Sequence, residues 1–425
     1  MDLRSTRSGP IGGIAAIPGD KSCSHRALIL GAMAKGQTRI SGLLDSEDVS
    51  ATRRAIEAFG ASVVRDGENW LIAGAEWTSP AGPIDCGNSG TTARLLMGAA
   101  AGFDLSATFV GDASLSRRPM ARVMQPLARM GAKFDGDDRL PITVRGGGLG
   151  GIDWANEPSS AQVKSAILLA GLQAQGSVMV CEPVQSRDHT EIMLREFGCE
   201  VEQGDGIVAL GSQRGLKGCE IAIAADPSSA AFALTAATIV PGSSVEVRNL
   251  LVNPLRTGLF EALEEMGAEI ELADERIQSG EIVATVRIGQ APLQPIEVLP
   301  ERIPAMIDEV PLLAVAAAFA EGESAIHGLD ELRHKESDRL GAIVAGLTAC
   351  GVTAVIRGDS LHVFGRGKVR GGARIAAEGD HRIAMAFAVL GLGSDEPVIV
   401  DSAEMISTSF PGFVKTMRAL GADIE

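Results

Sequence analysis

The hydrophobic pattern of this chain repeats. At six places a short cluster of small or polar residues leads into an Ala/Leu-rich run that is apolar on nearly every face: GDKSCSHRALILGAM from Gly19, GNSGTTARLLMGAA from Gly87, PSSAQVKSAILLAGL from Pro158, DPSSAAFALTAATI from Asp226, DEVPLLAVAAAFAEG from Asp308 and GDHRIAMAFAVLGLG from Gly379. A helix without a polar face belongs inside a core rather than on a surface. Each run is followed by a short strand, such as Gln37–Leu44 or Ser244–Leu250, and then by a more amphipathic helix. That second helix ends on a glycine and a small residue before another alternating strand: AFGASVV at Gly60, RMGAKFD at Gly131, EFGCEVE at Gly198, EMGAEIE at Gly267, ACGVTAV at Gly351 and ALGADIE at Gly421. Glycine is expected there because a left-handed helix cap costs it nothing sterically.

Each repeat therefore reads helix–strand–helix–strand–strand over about 70 residues. Six of them form two similar halves of three. The sixth stops at Glu425, and its missing strand is expected from the N-terminal GGIAAI, which brings both termini into one domain. That domain is residues 1–19 with 226–425, and the other, residues 20–225, is an insertion in it. The crossovers fall near Pro18-Gly19-Asp20 and Ala225-Asp226-Pro227.

The starts of these helices carry the chemistry. A helix N-terminus offers unpaired N–H donors and about half a positive charge. Acidic side chains suit it, yet basic ones collect here. Lys21, Ser22 and Arg26 open the first repeat, Asn88, Ser89, Gly90, Thr91 and Arg94 the second, and Ser159, Ser160 and Gln162 the third. Asp308 and Glu309 open the fifth; Asp380, His381 and Arg382 open the sixth. The second-helix starts add Arg117, Arg118, Arg187, Lys335, Glu336 and Arg339. At any one position Ser, Asp or Asn is an ordinary N-cap and Arg a solvated charge. The recurrence at equivalent positions instead implies a ligand with two or more anionic groups, phosphates or carboxylates.

Composition changes this picture in two ways. The chain has 425 residues with 54 acidic against 38 Lys and Arg, a net charge of −16, and no tyrosine. General nucleic-acid binding needs clustered cations and is excluded, so the helix starts should be locally positive on an acidic protein. Gly is in surplus, 51 residues, which the caps and close ligand approach partly explain. No uncharged apolar stretch could span a bilayer and no secretory or transit peptide precedes the first repeat, so a soluble cytoplasmic protein is expected. Six cysteines without a CxxC pair and six dispersed histidines point to reduced thiols and no metal site. Cys23 reads as an inert small residue rather than a nucleophile. GDKS lacks the glycine spacing of a Walker loop, and neither HExxH nor GxSxG occurs.

GDKSCSHRAL, GNSGTTAR, SRRPM, SSAQVKSA, RDHTE, MIDEVP, KESDRL and GDHRIAM, spread from about Pro18 to Phe413, resemble the motifs of the 5-enolpyruvylshikimate-3-phosphate (EPSP) synthase family. The resemblance implies an α/β, two-domain enolpyruvyl transferase fold: six βαβαββ repeats, three per domain, with helix N-termini facing the interdomain cleft. It implies transfer of the enolpyruvyl group of phosphoenolpyruvate to the 5-hydroxyl of shikimate 3-phosphate in the shikimate pathway, by addition and elimination, without metal or organic cofactor. Its partners would be these two small molecules, with no nucleic acid or membrane, and the enzyme a monomer. Matched motif by motif, Lys21, Ser22, Arg26, Ser160, Ala161, Gln162, Arg187, Asp308 and Lys335 would bind shikimate 3-phosphate. Lys21, Gly90, Arg118, Gln162, Arg339 and Arg382 would bind phosphoenolpyruvate. Lys21, Asp308 and Glu336 would be catalytic, Asp308 at the hydroxyl and Glu336, with Lys21 and Lys335 nearby, at the methylene carbon.

The chain departs from many relatives at His25, where they carry Asn, at Arg187, where a Tyr lies near the 3-phosphate, and at Thr408, where they carry Lys. Gly90 implies sensitivity to the inhibitor glyphosate, since relatives with Ala there tend to resist it. A sister enzyme acting on UDP-N-acetylglucosamine shares the fold but usually has a Lys-Asn start motif and a catalytic Cys loop, neither of which is present. A non-catalytic anion-binding scaffold would have no use for Asp308, Glu336 and both lysines.

Overall fold

A computed structural model describes residues 1–425 and folds the repeats alike. The helices come in pairs: α1 (Lys21–Met33) with α2 (Glu47–Ala58), α3 (Gly90–Ala101) with α4 (Ala121–Met130), and α5 (Ala161–Gly171) with α6 (His189–Glu196). The second half has α7 (Pro227–Ile239) with α8 (Gly258–Glu265), α9 (Val310–Phe319) with α10 (Arg339–Ala349), and α11 (His381–Gly393) with α12 (Phe413–Ala419). The first member of each pair is the apolar run. All of α7 and Val310–Ala318 of α9 are buried, as the missing polar face requires. The glycines after the second helices, from Gly60 to Gly421, take φ between +85° and +119°, which disfavours any side chain.

Five sheets have four strands and one has three. In the second repeat the order is Ile84–Asp85, Ser106–Val110, Ile142–Arg145, Lys133–Asp135, the first pair parallel and the rest antiparallel. A strand before the core helix thus completes a βαβαββ unit. The hydrophobic pattern misses it because Ile84–Asp85 is too short for a period. In the first repeat that opening strand is Glu220–Ala222, parallel to Gln37–Ser41 and drawn from the far end of the third repeat.

The N-terminal segment is used twice, which corrects one expectation. Gly12–Ile14, within GGIAAI, opens the fourth repeat by pairing parallel to Ser244–Glu246; it does not complete the sixth. Glycine suits this pairing, since a Cβ on Gly12 would come 2.9 Å from the Ser244 carbonyl oxygen. The sixth sheet is instead completed by Leu3–Ser5, antiparallel to Val398–Val400, with Ser5 also bridging Ile424.

By contact density the chain divides into two units. A terminal unit comprises Met1–Pro18, Ala224–Arg276 and Ile282–Glu425; an inserted unit comprises Gly19–Ile223 and Ile277–Glu281. The last segment is the tip of the hairpin between strands Ile270–Gln278 and Glu281–Gly289, a feature that the repeat does not announce. In the terminal unit α7, α9 and α11 pack on one another; in the inserted unit α3 packs on α5 and α1. No helix is long and apolar enough to cross a membrane.

Candidate active site

In the inserted unit, α1 begins at Lys21 because Asp20 caps it, its Oδ1 accepting from the Cys23 amide at 2.7 Å, a bond worth about 1 kcal/mol. The Lys21 ammonium pairs with Asp48 in the first turn of α2. One turn on, Arg26 is 4% exposed, yet all of its hydrogen bonds go to neutral oxygens. Nε donates to Thr190 Oγ1 at 2.7 Å, one terminal nitrogen to Ser165 Oγ at 2.7 Å and the other to the Ser22 carbonyl at 3.0 Å. Burial pulls the Arg26 guanidinium below its ordinary basicity. Glu191 and Asp20 favour its charge only from beyond hydrogen-bond reach; a buried cation without a direct carboxylate partner is costly, and a bound anion would relieve that cost. His25 turns the other way, into the core. Its Nδ1 lies 2.7 Å from Thr52 Oγ1, and burial holds its pKa well below the ordinary value, so it is neutral at pH 7.

At the start of α3, Ser89 accepts from the Thr92 amide at 3.1 Å, and Gly90 is the first helical residue. Arg94 reaches back to donate to Gln162 Oε1 at 3.0 Å, and Gln162 Nε2 donates to Thr91 Oγ1 at 3.0 Å. Arg118 donates to Asn88 Oδ1 at 2.7 Å. Gly90, Gln162 and Arg118 are therefore gathered into one cluster. A Cβ on Gly90 would lie 2.6 Å from a terminal nitrogen of Arg94 and 3.4 Å from one of Arg118.

Ala161 opens α5, and Ser160 caps it without a side-chain bond to the helix. Arg187 sits in the loop before α6, and that loop is pinned from below. Glu182 accepts from the Ser186 amide at 2.9 Å and its hydroxyl at 2.6 Å, while Lys164 donates to the Ser186 carbonyl at 3.1 Å. Lys164 and Glu191 are both wholly buried, and Lys164 is 2.8 Å from each of Glu182 and Glu191. Burial works to lower the Lys164 pKa, but Glu191 and Glu182 outweigh it and the value rises. This triad escapes a reading of the sequence, although one lysine within the otherwise apolar VKSAILLAG was a signal for it.

In the terminal unit the arginines are tied to carboxylates. Arg339, first residue of α10 and 1% exposed, donates from Nε to Asp380 at 2.7 Å, from one terminal nitrogen to Asp308 at 3.3 Å and from the other to Glu336. Burial alone would lower its pKa; Asp380, Glu336 and Asp308 together raise it. Arg382 donates to the Asp308 carbonyl at 3.1 Å and to Glu309 at 3.2 Å. Asp308, Glu336, Arg339 and Arg382 thus meet in one place. Lys335 pairs with Glu331 at 2.9 Å, and Glu336 lies on Arg339. One expectation changes. This cluster is not locally positive: two guanidinium groups face four carboxylates, Asp308, Glu309, Glu336 and Asp380, because buried forks need counter-charges to stay folded. Thr408 is turned inward, donating to the Met405 carbonyl at 2.7 Å.

One group of potential metal donors comes together despite the scattered sequence positions. Asp20, Cys23 and His189 place one donor atom each within 4.8 Å of one another. Asp20 is already capping α1, and His189 Nδ1 lies 2.6 Å from Glu281 Oε1, so the group is a hydrogen-bonded hub joining the starts of α1 and α6.

The enolpyruvyl transferase NikO from Streptomyces tendae shares the fold at a TM-score of 0.81, with 18% identity and coverage of 100% of this chain and 98% of that one. A family model described as EPSP synthase (3-phosphoshikimate 1-carboxyvinyltransferase) matches residues 5–417, and the chain belongs to that family. It is 53% identical over 432 residues to the 3-phosphoshikimate 1-carboxyvinyltransferase of Phenylobacterium zucineum, covering 99% of this chain and 95% of the relative. The corresponding protein of Caulobacter vibrioides is 51% identical, with 99% and 98% covered. The EPSP synthase structure from Acinetobacter baumannii aligns at a TM-score of 0.88 and 38% identity, over 100% of this chain and 99% of that one.

Proposed function

We propose that this chain transfers the enolpyruvyl group of phosphoenolpyruvate to the 5-hydroxyl of shikimate 3-phosphate and releases phosphate. The observation that carries the reading is Arg26, a buried guanidinium hydrogen-bonded only to neutral oxygens, beside a loop that fixes Arg187. A phosphate on the acceptor supplies a direct ionic partner, and Lys21, Ser22, Ser160, Ala161 and Gln162 complete its surroundings. Gly90, Arg118 and Gln162 suit the phosphate and carboxylate of phosphoenolpyruvate, and the forks of Arg339 and Arg382 suit the same planar or tetrahedral anions.

In the addition step the 5-hydroxyl oxygen bonds to C2 of phosphoenolpyruvate, its proton leaves to a base, and C3 gains a proton from an acid. In the elimination step C3 returns a proton and the C2–O bond to phosphate breaks. Asp308 is the group for the hydroxyl proton, and Glu336 with Lys21 the group for C3. The test is phosphate release from phosphoenolpyruvate by the wild-type chain. Release with shikimate 3-phosphate and none with UDP-N-acetylglucosamine is expected; the reverse pattern refutes the proposal.

Gly90→Ala is expected to raise the KM for phosphoenolpyruvate about tenfold, because the methyl displaces the Arg94 fork and crowds Arg118. The KM for shikimate 3-phosphate should stay within about twofold. Glyphosate should inhibit the wild type in competition with phosphoenolpyruvate and inhibit the Ala variant less. Full wild-type activity at high glyphosate would overturn that expectation.

A further inference from the structure

The hairpin whose strands pair in the terminal unit sends its tip, Ile277–Glu281, into the inserted unit. The tip is anchored there. Ser279 Oγ accepts from the Ala222 amide at 2.9 Å, and Gln278 Nε2 donates to the Ala222 carbonyl at 3.2 Å. Gly280, at φ +77°, lies so close to α6 that a Cβ would come 2.7 Å from the Ile192 side chain. The carboxylate of Glu281 then reaches two helix starts at once. One oxygen is 2.6 Å from Nδ1 of the wholly buried His189 and 4.0 Å from Cys23 Sγ.

The neighbours of these two residues are the candidate ligands of the acceptor substrate. Cys23 stands between Lys21–Ser22 and Arg26 on the first turns of α1. His189 follows Arg187 by two positions and precedes Thr190, whose hydroxyl holds Arg26 at 2.7 Å and meets Ser165 at 2.6 Å. None of the proton transfers above uses Glu281, His189 or Cys23. A buried carboxylate on an imidazole fixes both the position and the tautomer of the ring, and here the ring opens α6.

We propose that Glu281 is a positioning residue for the phosphate end of shikimate 3-phosphate, holding His189 so that Thr190, Arg26 and Arg187 keep their places. The proposal rests on the reading of Arg26 and Arg187 as phosphate ligands. It also gives the hairpin tip a purpose: a segment from the second half of the chain sets the anion site built by the first.

Steady-state kinetics on the full chain with Glu281→Ala, Glu281→Asp and Glu281→Gln test it. Glu281→Ala should raise the KM for shikimate 3-phosphate about tenfold, with the KM for phosphoenolpyruvate and kcat within about threefold. Glu281→Asp, which keeps the charge but withdraws it from His189, should give a smaller rise of the same selectivity. Glu281→Gln, whose amide oxygen still accepts from Nδ1–H, should restore the KM to within about threefold. A merely structural role would lower thermal stability and active fraction without this selectivity. The proposal is overturned if Glu281→Ala and Glu281→Asp leave the shikimate 3-phosphate KM within about twofold, or raise both KM values equally. If the Ala variant fails to fold, the Asp variant decides by the same criterion. A wild type that releases no phosphate with shikimate 3-phosphate would refute the functional reading itself, whereas an active wild type with indifferent variants refutes only the role of Glu281.

Discussion

Replacing Asp308 by Ala is expected to lower kcat by about 10²–10⁴, the span that a positioned acid or base supplies, while both KM values stay within about threefold. The separation follows from the geometry around Arg339. Asp308 is one of three carboxylates on that guanidinium, at 3.3 Å, and Asp380 at 2.7 Å and Glu336 remain when it is removed. The fork therefore stays placed, and what disappears is the proposed proton acceptor. Asp308→Asn sharpens the test, because its amide oxygen still accepts from Arg339 but cannot take the proton of a hydroxyl. Both variants should lose turnover to a similar degree in single-turnover and steady-state assays. Near-normal turnover in Asp308→Asn would make Asp308 a positioning group. Near-normal turnover in Asp308→Ala would remove it from the mechanism.

The repeat was legible because it is written in hydrophobic period and glycine. The six apolar runs became the six core helices, and each cap glycine has the positive φ that its place after a helix implied. The two-residue opening strands were not legible, since Ile84–Asp85 or Arg374–Ile375 carries too few residues for alternation to register. The double use of the N-terminus was equally hidden. Leu3–Ser5 and Gly12–Ile14 differ by which distant strand they meet, and pairing across most of the chain leaves no local mark.

At the candidate site the same division holds. Cations at helix starts stand out because they oppose the helix dipole, so Lys21, Arg118, Arg339 and Arg382 could be singled out from sequence. Their counter-charges could not. Asp48 looks like an ordinary first-turn acid of α2, and it is folding that brings it to Lys21. Glu281 is in a strand with no motif around it, 92 residues from the histidine it holds. Expecting positive charge throughout failed in the terminal unit for this reason: sequence displays the cations, whereas burial decides how many carboxylates must accompany them.

Lys164→Met should cost about 3–5 kcal/mol of stability, the effect of removing one partner from a buried ion pair. The side chain of Lys164 is wholly buried, and its loss strands Glu182 and Glu191, themselves buried, without a cation. Chemical denaturation should show a lower midpoint with an unchanged slope. The pH dependence has a definite sign. In the wild type the Lys164 pKa is raised above the ordinary 10.5, so its contribution is fully present below that value and fades only as pH climbs through the raised one. In the Met variant the burden passes to Glu191, which burial already pushes above the ordinary 4.5. Its protonation becomes favourable in the folded state, so the deficit should shrink as pH falls through the raised value towards 4.5. Adding Glu191→Gln to Lys164→Met should recover part of the loss at neutral pH. Function should follow structure through the loop: with the Lys164 bond to the Ser186 carbonyl gone, Arg187 loses one of its supports and the KM for shikimate 3-phosphate should rise. A Met variant with an unmoved midpoint at neutral pH would overturn the ionic reading of the triad.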